Sequence, residues 1–419
     1  MTQPLNIWWD ERIVGQLSQD EHGDLEFSYT KAWIEDGTAP QLSASLPKQA
    51  AAFSRRECRP FFGGLLPEES QRDAVAKILG VSRGNDFALL DRLGGDVAGA
   101  LQLLPLGASP TENRSFAQPA AMSEAELIRV LDTLPVRPLL VGENDLRLSL
   151  AGAQSKLPII LVNGMPAFAA PGQPTTHILK PPISRFAATT ENEAFVMRLA
   201  KALGLDVANV VPKITAGRTF LLIERYDREI SAEGMVTRLH QEDFCQALAV
   251  PSEIKYASEG GPSFRNCFDL LRRISARPAQ DVLKLLDAAI FNLIAGNADA
   301  HGKNFSLLYE RQGPRLAPLY DLLSTIYYPD LSPKLAMKIG KQATLEDINV
   351  RTWAAFAEDT GLGPPIIRRR VSELSEAVLD EAAGIVDTLS NHGFDDISLK
   401  QMSKLICNRA RRCAITTTR

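Results

Sequence analysis

The sequence has no long apolar run, and this absence excludes several classes of protein. None of its 419 residues lies in a stretch approaching 18 uncharged apolar residues, which a membrane-spanning helix would need. The first ten residues lack the basic and apolar regions of a secretory signal. We therefore expect a cytoplasmic protein that does not insert into a membrane.

The chain also lacks paired cysteines. Its five cysteines are scattered and form neither a C-x-x-C motif nor a zinc-finger spacing with histidine; they are Cys58, Cys245, Cys267, Cys407 and Cys413. This pattern predicts reduced thiols and no structural zinc.

An excess of positive charge is missing as well. The 46 Lys and Arg residues against 50 Asp and Glu residues give a formal charge of −4, which argues against nucleic-acid binding by the chain as a whole. The end of the chain departs from this balance, because no acidic residue follows Asp396, whereas six basic residues do: Lys400, Lys404, Arg409, Arg411, Arg412 and Arg419. A solvated tail is the preferred interpretation, and contact with DNA phosphates or an acidic partner is the alternative.

The hydrophobic pattern predicts an α+β protein with a β-rich first part and a mostly helical second part. We predict an N-terminal subdomain over 1–105, a linker rich in Pro, Ser and Ala over 106–120, a β-rich part over 121–239 and a helical lobe with a basic tail over 240–419. Strands are predicted at 5–9, 12–17, 25–29, 156–162, 177–181 and 219–224, and helices at 71–79, 192–203, 241–248, 282–295, 345–360 and 365–389. The segment 259–263, rich in glycine, is interpreted as a flexible turn.

The most informative segment lies between a long apolar helix and the next apolar run. The helix is expected to stop at Gly296, and Asp299 and Asn304 then stand in the relation D-x-x-x-x-N. Protein kinases use this spacing in the loop whose Asp accepts the substrate hydroxyl proton and whose Asn binds Mg²⁺. Asp321 follows the next strand, where a kinase supplies its main metal carboxylate, although no D-F-G motif is present.

A candidate phosphate-binding lysine precedes this segment. Lys180 ends an apolar strand, and the next helix carries Glu191 and Glu193, either of which could form an ion pair with that lysine. Each feature alone is a weak signal, but their order matches that of kinases. From the residues alone, metal-dependent phosphoryl transfer and an ordinary structural role for these residues stay equally open.

Several longer motifs together carry a specific resemblance. These are Phe62–Glu68, Gly95–Ala100, Arg147–Lys156, Glu224–Arg228, Arg238–Phe244 and the segment around Asp299. With these motifs the chain resembles HipA, the kinase toxin of HipBA toxin–antitoxin systems, over essentially its whole length. The resemblance implies a HipA-like kinase fold, with a small β-rich N-subdomain and a larger helical C-subdomain, and a Ser/Thr protein kinase activity that uses ATP and Mg²⁺.

The resemblance also implies roles for individual residues. Asp299 resembles the catalytic base, and Asn304 and Asp321 resemble the Mg²⁺ ligands. The residues that resemble nucleotide contacts are the phosphate loop Ala151, Gly152, Ala153, Gln154, Ser155 and Lys156, together with Lys180, Glu224, Arg225, Tyr226, His301, Lys303 and Tyr320. Ser155 departs from the acidic residue usual in that loop, which changes the charge of the loop but not the catalytic set.

Regulation and partners follow from the same resemblance. Ser149 resembles a serine that is autophosphorylated, and a phosphoserine adds about −1.5 to −2 charges beside a site for ATP phosphates. The expected partners are a protein substrate, for which an aminoacyl-tRNA synthetase is a candidate, and a HipB-like helix-turn-helix antitoxin. That antitoxin would bring operator DNA close to the chain and to its basic tail. Two alternatives stay open: a small-molecule phosphotransferase, and a non-catalytic co-repressor acting with a DNA-binding antitoxin.

Overall fold

The computed structural model describes residues 3–110, 119–143 and 147–417 of the chain. Most of the predicted linker and the basic residue Arg419 therefore lie outside the described residues. The chain forms two compact units, the first comprising 1–183, 215–253 and 308–310, and the second comprising 184–214, 254–307 and 311–419. The domain boundaries expected from composition stay predictions.

The secondary structure alternates between strands and helices in the first half and becomes mostly helical later. In chain order the elements are β1 (Leu5–Trp9), β2 (Arg12–Gln19), β3 (Leu25–Tyr29), α1 (Lys31–Glu35), α2 (Arg55–Gly63), α3 (Glu69–Leu79), α4 (Asp86–Leu93), β4 (Leu101–Pro105), α5 (Glu124–Thr133), β5 (Leu157–Val162), β6 (Met165–Ala167), β7 (His177–Lys180), α6 (Thr189–Ala202), β8 (Val210–Thr215), β9 (Arg218–Glu224), β10 (Arg228–Ile230), β11 (Val236–Arg238), β12 (His240–Asp243), α7 (Phe244–Ala247), α8 (Phe264–Ile274), α9 (Pro278–Ala295), β13 (Ser306–Glu310), β14 (Gly313–Leu316), β15 (Lys334–Ile339), β16 (Gln342–Thr344), α10 (Val350–Thr360), α11 (Pro364–Asn391) and α12 (Asp396–Ile415). This composition confirms the α+β prediction.

The first unit contains an antiparallel sheet near the start of the chain, in the order β3-β2-β1-β4. Residues of β3 alternate between buried and half-buried, so that Leu25, Phe27 and Tyr29 share the face toward the core. Phe61 and Phe62 of α2 are fully buried in the same core. The predicted strands at 5–9 and 25–29 are confirmed, and the one at 12–17 extends to Gln19.

A second antiparallel sheet of the first unit positions the candidate lysine. Its strands β6, β5, β7 and β9 pair in that order. Ile159, Leu179 and Phe220 contribute to one buried cluster with Leu127 and Val130 of α5. Burial of these apolar side chains fixes the register of β7 and therefore the position at which Lys180 ends the strand.

The second unit is built on helices, of which α9 leads to the catalytic segment. Pro278 occupies the first turn of α9, where its missing N–H costs nothing, and Gly296 ends the helix in the left-handed conformation with φ 72°. The predicted stop at Gly296 is confirmed. Helices α11 and α12 pack against each other and against α9.

Two helix predictions are partly wrong. The segment predicted as a helix over 241–248 is the strand β12 followed by the short helix α7, because Asp243 caps α7 by accepting the N–H of Gln246 at 2.9 Å. The helix predicted from 345 begins at Val350, since Asn349 accepts the N–H of Arg351 at 3.0 Å. A local cap therefore sets each helix start.

The C-terminal segment is not a solvated tail as far as residue 415, which corrects the preferred interpretation. Residues 396–415 form α12, and its Arg409 is only 8% exposed. The Arg409 guanidinium donates two hydrogen bonds to the carbonyl of Leu293, at 3.0 and 2.8 Å. Leu293 O belongs to the last turn of α9, so α12 satisfies a carbonyl at the helix end that leads to Asp299.

Within the part of the chain that the structure describes, no helix combines the length and apolar character needed to cross a bilayer.

Candidate active site

The loop that carries Asp299 begins with a turn that only glycine accommodates. A side chain at Gly296 would place its Cβ 2.6 Å from Cγ1 of Ile326, and the φ of 72° is costly for other residues. The chain then runs through Asn297 and Asp299 into a 3₁₀ turn at Gly302–Asn304 before β13. Asp299 and Asn304 therefore lie on one short loop between α9 and β13.

Asp299 is exposed but held in place from two sides. Its backbone N–H donates to Oδ1 of Asn297 at 3.1 Å, and the buried Asn297 donates in turn to Oδ1 of Asn292 on α9 at 2.8 Å. The hydroxyl of Tyr256 donates to Oδ1 of Asp299 at 3.0 Å. An exposed carboxylate of fixed orientation can accept a proton from a hydroxyl that approaches it.

Asn304 and Asp321 come together, as the kinase spacing predicts. Nδ2 of Asn304 donates to Oδ2 of Asp321 at 3.3 Å, while Oδ1 of Asn304 accepts the N–H of His301 at 3.2 Å. Asp321 has a φ of 57°, which is unfavourable for a residue other than glycine and is kept by the surrounding structure.

The chemistry of this pair fits Mg²⁺. Magnesium prefers oxygen ligands and is commonly bound by one or two protein groups together with water and phosphate oxygens. Asp321 supplies a carboxylate and Asn304 an amide oxygen. The described residues contain no group of three or more His, Cys, Asp or Glu side chains that could hold a metal.

The other predicted site residues of the second unit surround the same loop. The hydroxyl of Tyr320 donates to the carbonyl of Lys303 at 2.6 Å and lies 2.7 Å from Oγ of Ser306. Both His301 and Lys303 are 7% exposed. Tyr320 thus ties the 3₁₀ turn to the segment that leads into Asp321.

The predicted phosphate loop belongs to the first unit and is held by its own side chains. Gly152 has a φ of 116°, and Nζ of Lys156 donates to the carbonyl of Ala151 at 2.6 Å, closing the loop on itself. Gln154 donates to the carbonyl of Pro181 at 3.1 Å, and Ser155 donates to Gln71 at 3.2 Å. Because Pro181 follows Lys180, the loop lies beside the end of β7. Ala153 is half-buried in the same loop.

Lys180 and Glu224 lie on the paired strands β7 and β9, and Arg225 and Tyr226 follow directly after β9. Lys180, which is 5% exposed, is opposite Leu221 of β9, and His177 is opposite Glu224. Leu221 and Glu224 are three positions apart, which separates the two pairs by about 10 Å along the strand. Glu224 is exposed, and the hydroxyl of Tyr226 donates to the side chain of Gln241.

Comparison with known proteins gives the family. The model of the HipA N-terminal domain matches residues 5–104, and that of the HipA-like C-terminal domain matches residues 148–382. The chain belongs to the HipA family.

Similar proteins cover nearly the whole chain. It is 61% identical over 409 residues to "Putative kinase Y4mE" of Sinorhizobium fredii, covering 97% of each chain. It is 32% identical over 398 residues to the serine/threonine-protein kinase toxin HipA of Shewanella oneidensis, covering 92% of this chain and 90% of that protein. The structure of Shewanella oneidensis HipA with HipB and operator DNA matches with a TM-score of 0.84 at 30% identity, covering 97% of each chain. These matches confirm the resemblance and the HipA-like fold, and they support a kinase that uses ATP and a divalent metal.

The side chain of Arg225, a predicted nucleotide contact, is buried in an ion-pair network. Its side chain is 1% exposed and pairs with Asp227 at 2.8 Å and with Asp96 at 3.2 Å. Burial raises the pKa of Asp96, but Arg228 and Arg225 outweigh it and hold that pKa below the usual range for a carboxyl. The guanidinium of Arg225 therefore serves a buried ion-pair network, and its contact with nucleotide stays a prediction.

Ser149 is fully buried in this conformation. Its hydroxyl donates to the carbonyl of Leu65 at 2.7 Å, and its N–H donates to the carbonyl of Asp96 at 3.0 Å. A phosphate group could be added only after this segment leaves its place, because no solvent reaches the hydroxyl.

Two residues of the site were missed by sequence reasoning. Asn297 lies inside the segment that drew attention, but an asparagine beside the Asp carries no distinctive signal. Tyr256 lies 43 residues before Asp299 and is brought to it only by tertiary packing.

Proposed function

We propose that this chain is a Ser/Thr protein kinase toxin of a HipBA-type toxin–antitoxin module, which transfers the γ-phosphoryl group of ATP to a hydroxyl of a cellular protein and arrests growth. The observation that carries the proposal is the loop of the second unit. In this loop Asp299 is exposed and its backbone is held by Asn297. Asn304 follows five residues later and donates a hydrogen bond to Asp321 at 3.3 Å.

The mechanism assigns a task to each of these residues. Asp299 orients the acceptor hydroxyl and takes its proton as the new O–P bond forms and the bond from the γ-phosphorus to the ADP oxygen breaks. Asn304 and Asp321 would hold Mg²⁺, which would supply positive charge that offsets the charge on the transferred group. Lys180 would pair with phosphate oxygens, and the loop at 151–156 would offer them its N–H groups.

Nucleotide recognition falls to the other predicted residues. Glu224 and Tyr226 contact the adenosine part, and Tyr320 contributes its ring, since its hydroxyl is already used to hold the catalytic loop. His301 and Lys303 lie in that same loop and are proposed as further nucleotide contacts.

We further propose that Ser149 is autophosphorylated and that this silences the enzyme. The buried hydroxyl and the loop that follows it must both leave their places, and the added charge of about −1.5 to −2 prevents their return beside ATP phosphates. The phosphorylated state is then one in which the loop at 151–156 no longer covers the nucleotide.

Partners follow from the structural relative, which was solved with HipB and operator DNA. We propose that this chain binds a HipB-like helix-turn-helix antitoxin in the cytoplasm and lies close to operator DNA through it. The target is a cellular protein, for which an aminoacyl-tRNA synthetase is a candidate.

The decisive experiment compares the wild-type chain with Asp299→Asn. Incubation with Mg²⁺ and γ-labelled ATP, alone and in cell lysate, should label one or a few protein bands and place one phosphate at Ser149, as read by mass spectrometry. Asp299→Asn keeps the shape of the side chain but not its basicity, so transfer should fall by about 10²-fold or more, with ATP binding measured by calorimetry unchanged.

Other results would overturn the proposal. Undiminished transfer by Asp299→Asn would remove the assigned base. Label found in a small molecule and in no protein would favour a small-molecule phosphotransferase, and no binding of ATP would favour the co-repressor.

A further inference from the structure

A tight turn before α8 fixes the backbone of Tyr256. The carbonyl of Tyr256 accepts hydrogen bonds from the N–H groups of Glu259 and Gly261, each at 2.9 Å. A Cβ at Gly261 would lie 2.4 Å from the carbonyl oxygen of Ile254, so only glycine allows this close approach. Within the segment 259–263, predicted to be a flexible turn, Gly261 therefore lies close against the chain that precedes Tyr256.

The side chain of Tyr256 is fixed as well. Its ring meets the ring of His301 edge-on, with centroids 5.4 Å apart and planes at 78°. Nζ of Lys255 lies 5.6 Å from the centre of the Tyr256 ring, and Lys255 is only 7% exposed. Such aromatic and cation–π contacts favour one orientation of the ring.

This orientation aims the phenol at the catalytic loop. The hydroxyl donates to Oδ1 of Asp299 at 3.0 Å, while the ring packs on His301 two residues further along. Because Asp299 is exposed, this hydrogen bond adds at most about 1 kcal/mol to folding stability. Its larger effect is on the direction in which the carboxylate points.

We propose that Tyr256 is a positioning residue for Asp299, which holds the carboxylate in the orientation that receives the acceptor hydroxyl. The inference rests on the proposed function, because it takes Asp299 as the base. Its physical reason is that a small misplacement of a reacting group costs a large factor in rate, whereas the substrate affinity depends on other contacts.

The test separates the hydroxyl from the ring. Tyr256→Phe keeps the contact with His301 and removes only the hydrogen bond, whereas Tyr256→Ala removes both. Tyr327→Phe is the matched control, because its hydroxyl donates a bond of the same length, 3.0 Å, to Ser398 of α12. For each variant, kcat and KM for ATP are measured for phosphate transfer to any acceptor, together with the thermal unfolding midpoint.

The expected result is a kcat about tenfold lower for Tyr256→Phe, with KM for ATP and the unfolding midpoint unchanged and with Tyr327→Phe close to wild type. A normal kcat in Tyr256→Phe, when Asp299→Asn abolishes transfer, overturns the role of Tyr256 but leaves the proposed function standing. A defect limited to Tyr256→Ala likewise shows that only ring packing matters and overturns the inference. Transfer that survives Asp299→Asn overturns both.

Discussion

At the scale of single residues, the first unit contains a buried carboxyl outside the proposed chemistry. Glu242 is 1% exposed and accepts hydrogen bonds from the hydroxyl of Ser43, the N–H of Ala44 at 2.9 Å and the hydroxyl of Tyr309 at 2.5 Å. Burial raises the pKa of Glu242 from its usual 4.5 to about 7, even though these donors act to lower it.

This pKa makes the stability of the fold depend on pH. The folded pKa lies above the unfolded one, so the stability that the neutral carboxyl contributes is fully present below pH 4.5 and lost as pH rises through 7. The loss amounts to about 3 kcal/mol. Urea unfolding between pH 5 and about 8.5 should show wild type losing stability relative to Glu242→Gln, which stays neutral.

The control for this measurement is Glu229→Gln, a change at an exposed glutamate on β10. It should leave the pH dependence of wild type unaltered. If the unfolding free energies of wild type and Glu242→Gln changed in parallel with pH, Glu242 would not titrate in this range.

At the scale of secondary-structure elements, α6 is joined to the loop that follows Asp321. Nδ2 of Asn192 donates to the carbonyl of Ser324 at 3.0 Å, and the N–H of Ser324 donates back to Oδ1 of Asn192 at 2.7 Å. The hydroxyl of Ser324 donates to the carbonyl of Ala295, at the end of α9, at 2.6 Å. Two helices therefore hold the loop that carries the proposed metal ligand.

Removing the amide should weaken both the fold and the metal site. Asn192→Ala leaves a buried N–H and a buried carbonyl of Ser324 without these partners, which costs about 3 kcal/mol of unfolding free energy. We also expect a higher Mg²⁺ concentration for half-maximal activity, because Asp321 loses support. Urea denaturation and a Mg²⁺ titration measure the two effects.

The matched control is Asn391→Ala, at the exposed end of α11, which should change stability by less than about 0.5 kcal/mol. If Asn192→Ala lost no more unfolding free energy than this control, the hydrogen bonds between α6 and the loop would not stabilise the fold.

At the scale of the whole molecule, the first unit combines residues from both family domains. Asp96 falls in the match to the HipA N-terminal domain, whereas Arg225 and Arg228 fall in the match to the C-terminal domain. The side chain of Asp96 is 4% exposed, and it lies 3.2 Å from Arg225 and 2.9 Å from Arg228. The boundary between the two family matches therefore does not coincide with the boundary between the two compact units.

Neutralising this aspartate should unfold the unit more readily. Asp96→Ala leaves two buried guanidinium groups with one counter-charge fewer, and breaking a buried pair in this way costs about 3–5 kcal/mol. Asp132→Ala breaks an exposed pair with Arg218 at 2.7 Å and should cost at most about 1 kcal/mol. Chemical denaturation of both variants measures their unfolding free energies. Equal losses of unfolding free energy in the two variants would contradict the structural role of Asp96.

The sequence by itself determined the features that depend on short stretches of chain. The stop of α9 at Gly296 and each motif of the HipA family are set within a few residues, and the order of Lys180, Asp299, Asn304 and Asp321 is read directly along the chain.

Only the tertiary structure decided which distant residues meet. Tyr256 hydrogen-bonds Asp299, 43 residues further along the chain, and Arg225 pairs with Asp96, 129 residues before it. Arg409 hydrogen-bonds Leu293, 116 residues before it, so that part of the segment predicted to be a solvated tail is a packed helix. The physical reason is that these contacts arise from burial and charge pairing between elements, and no local propensity encodes which elements will pack together.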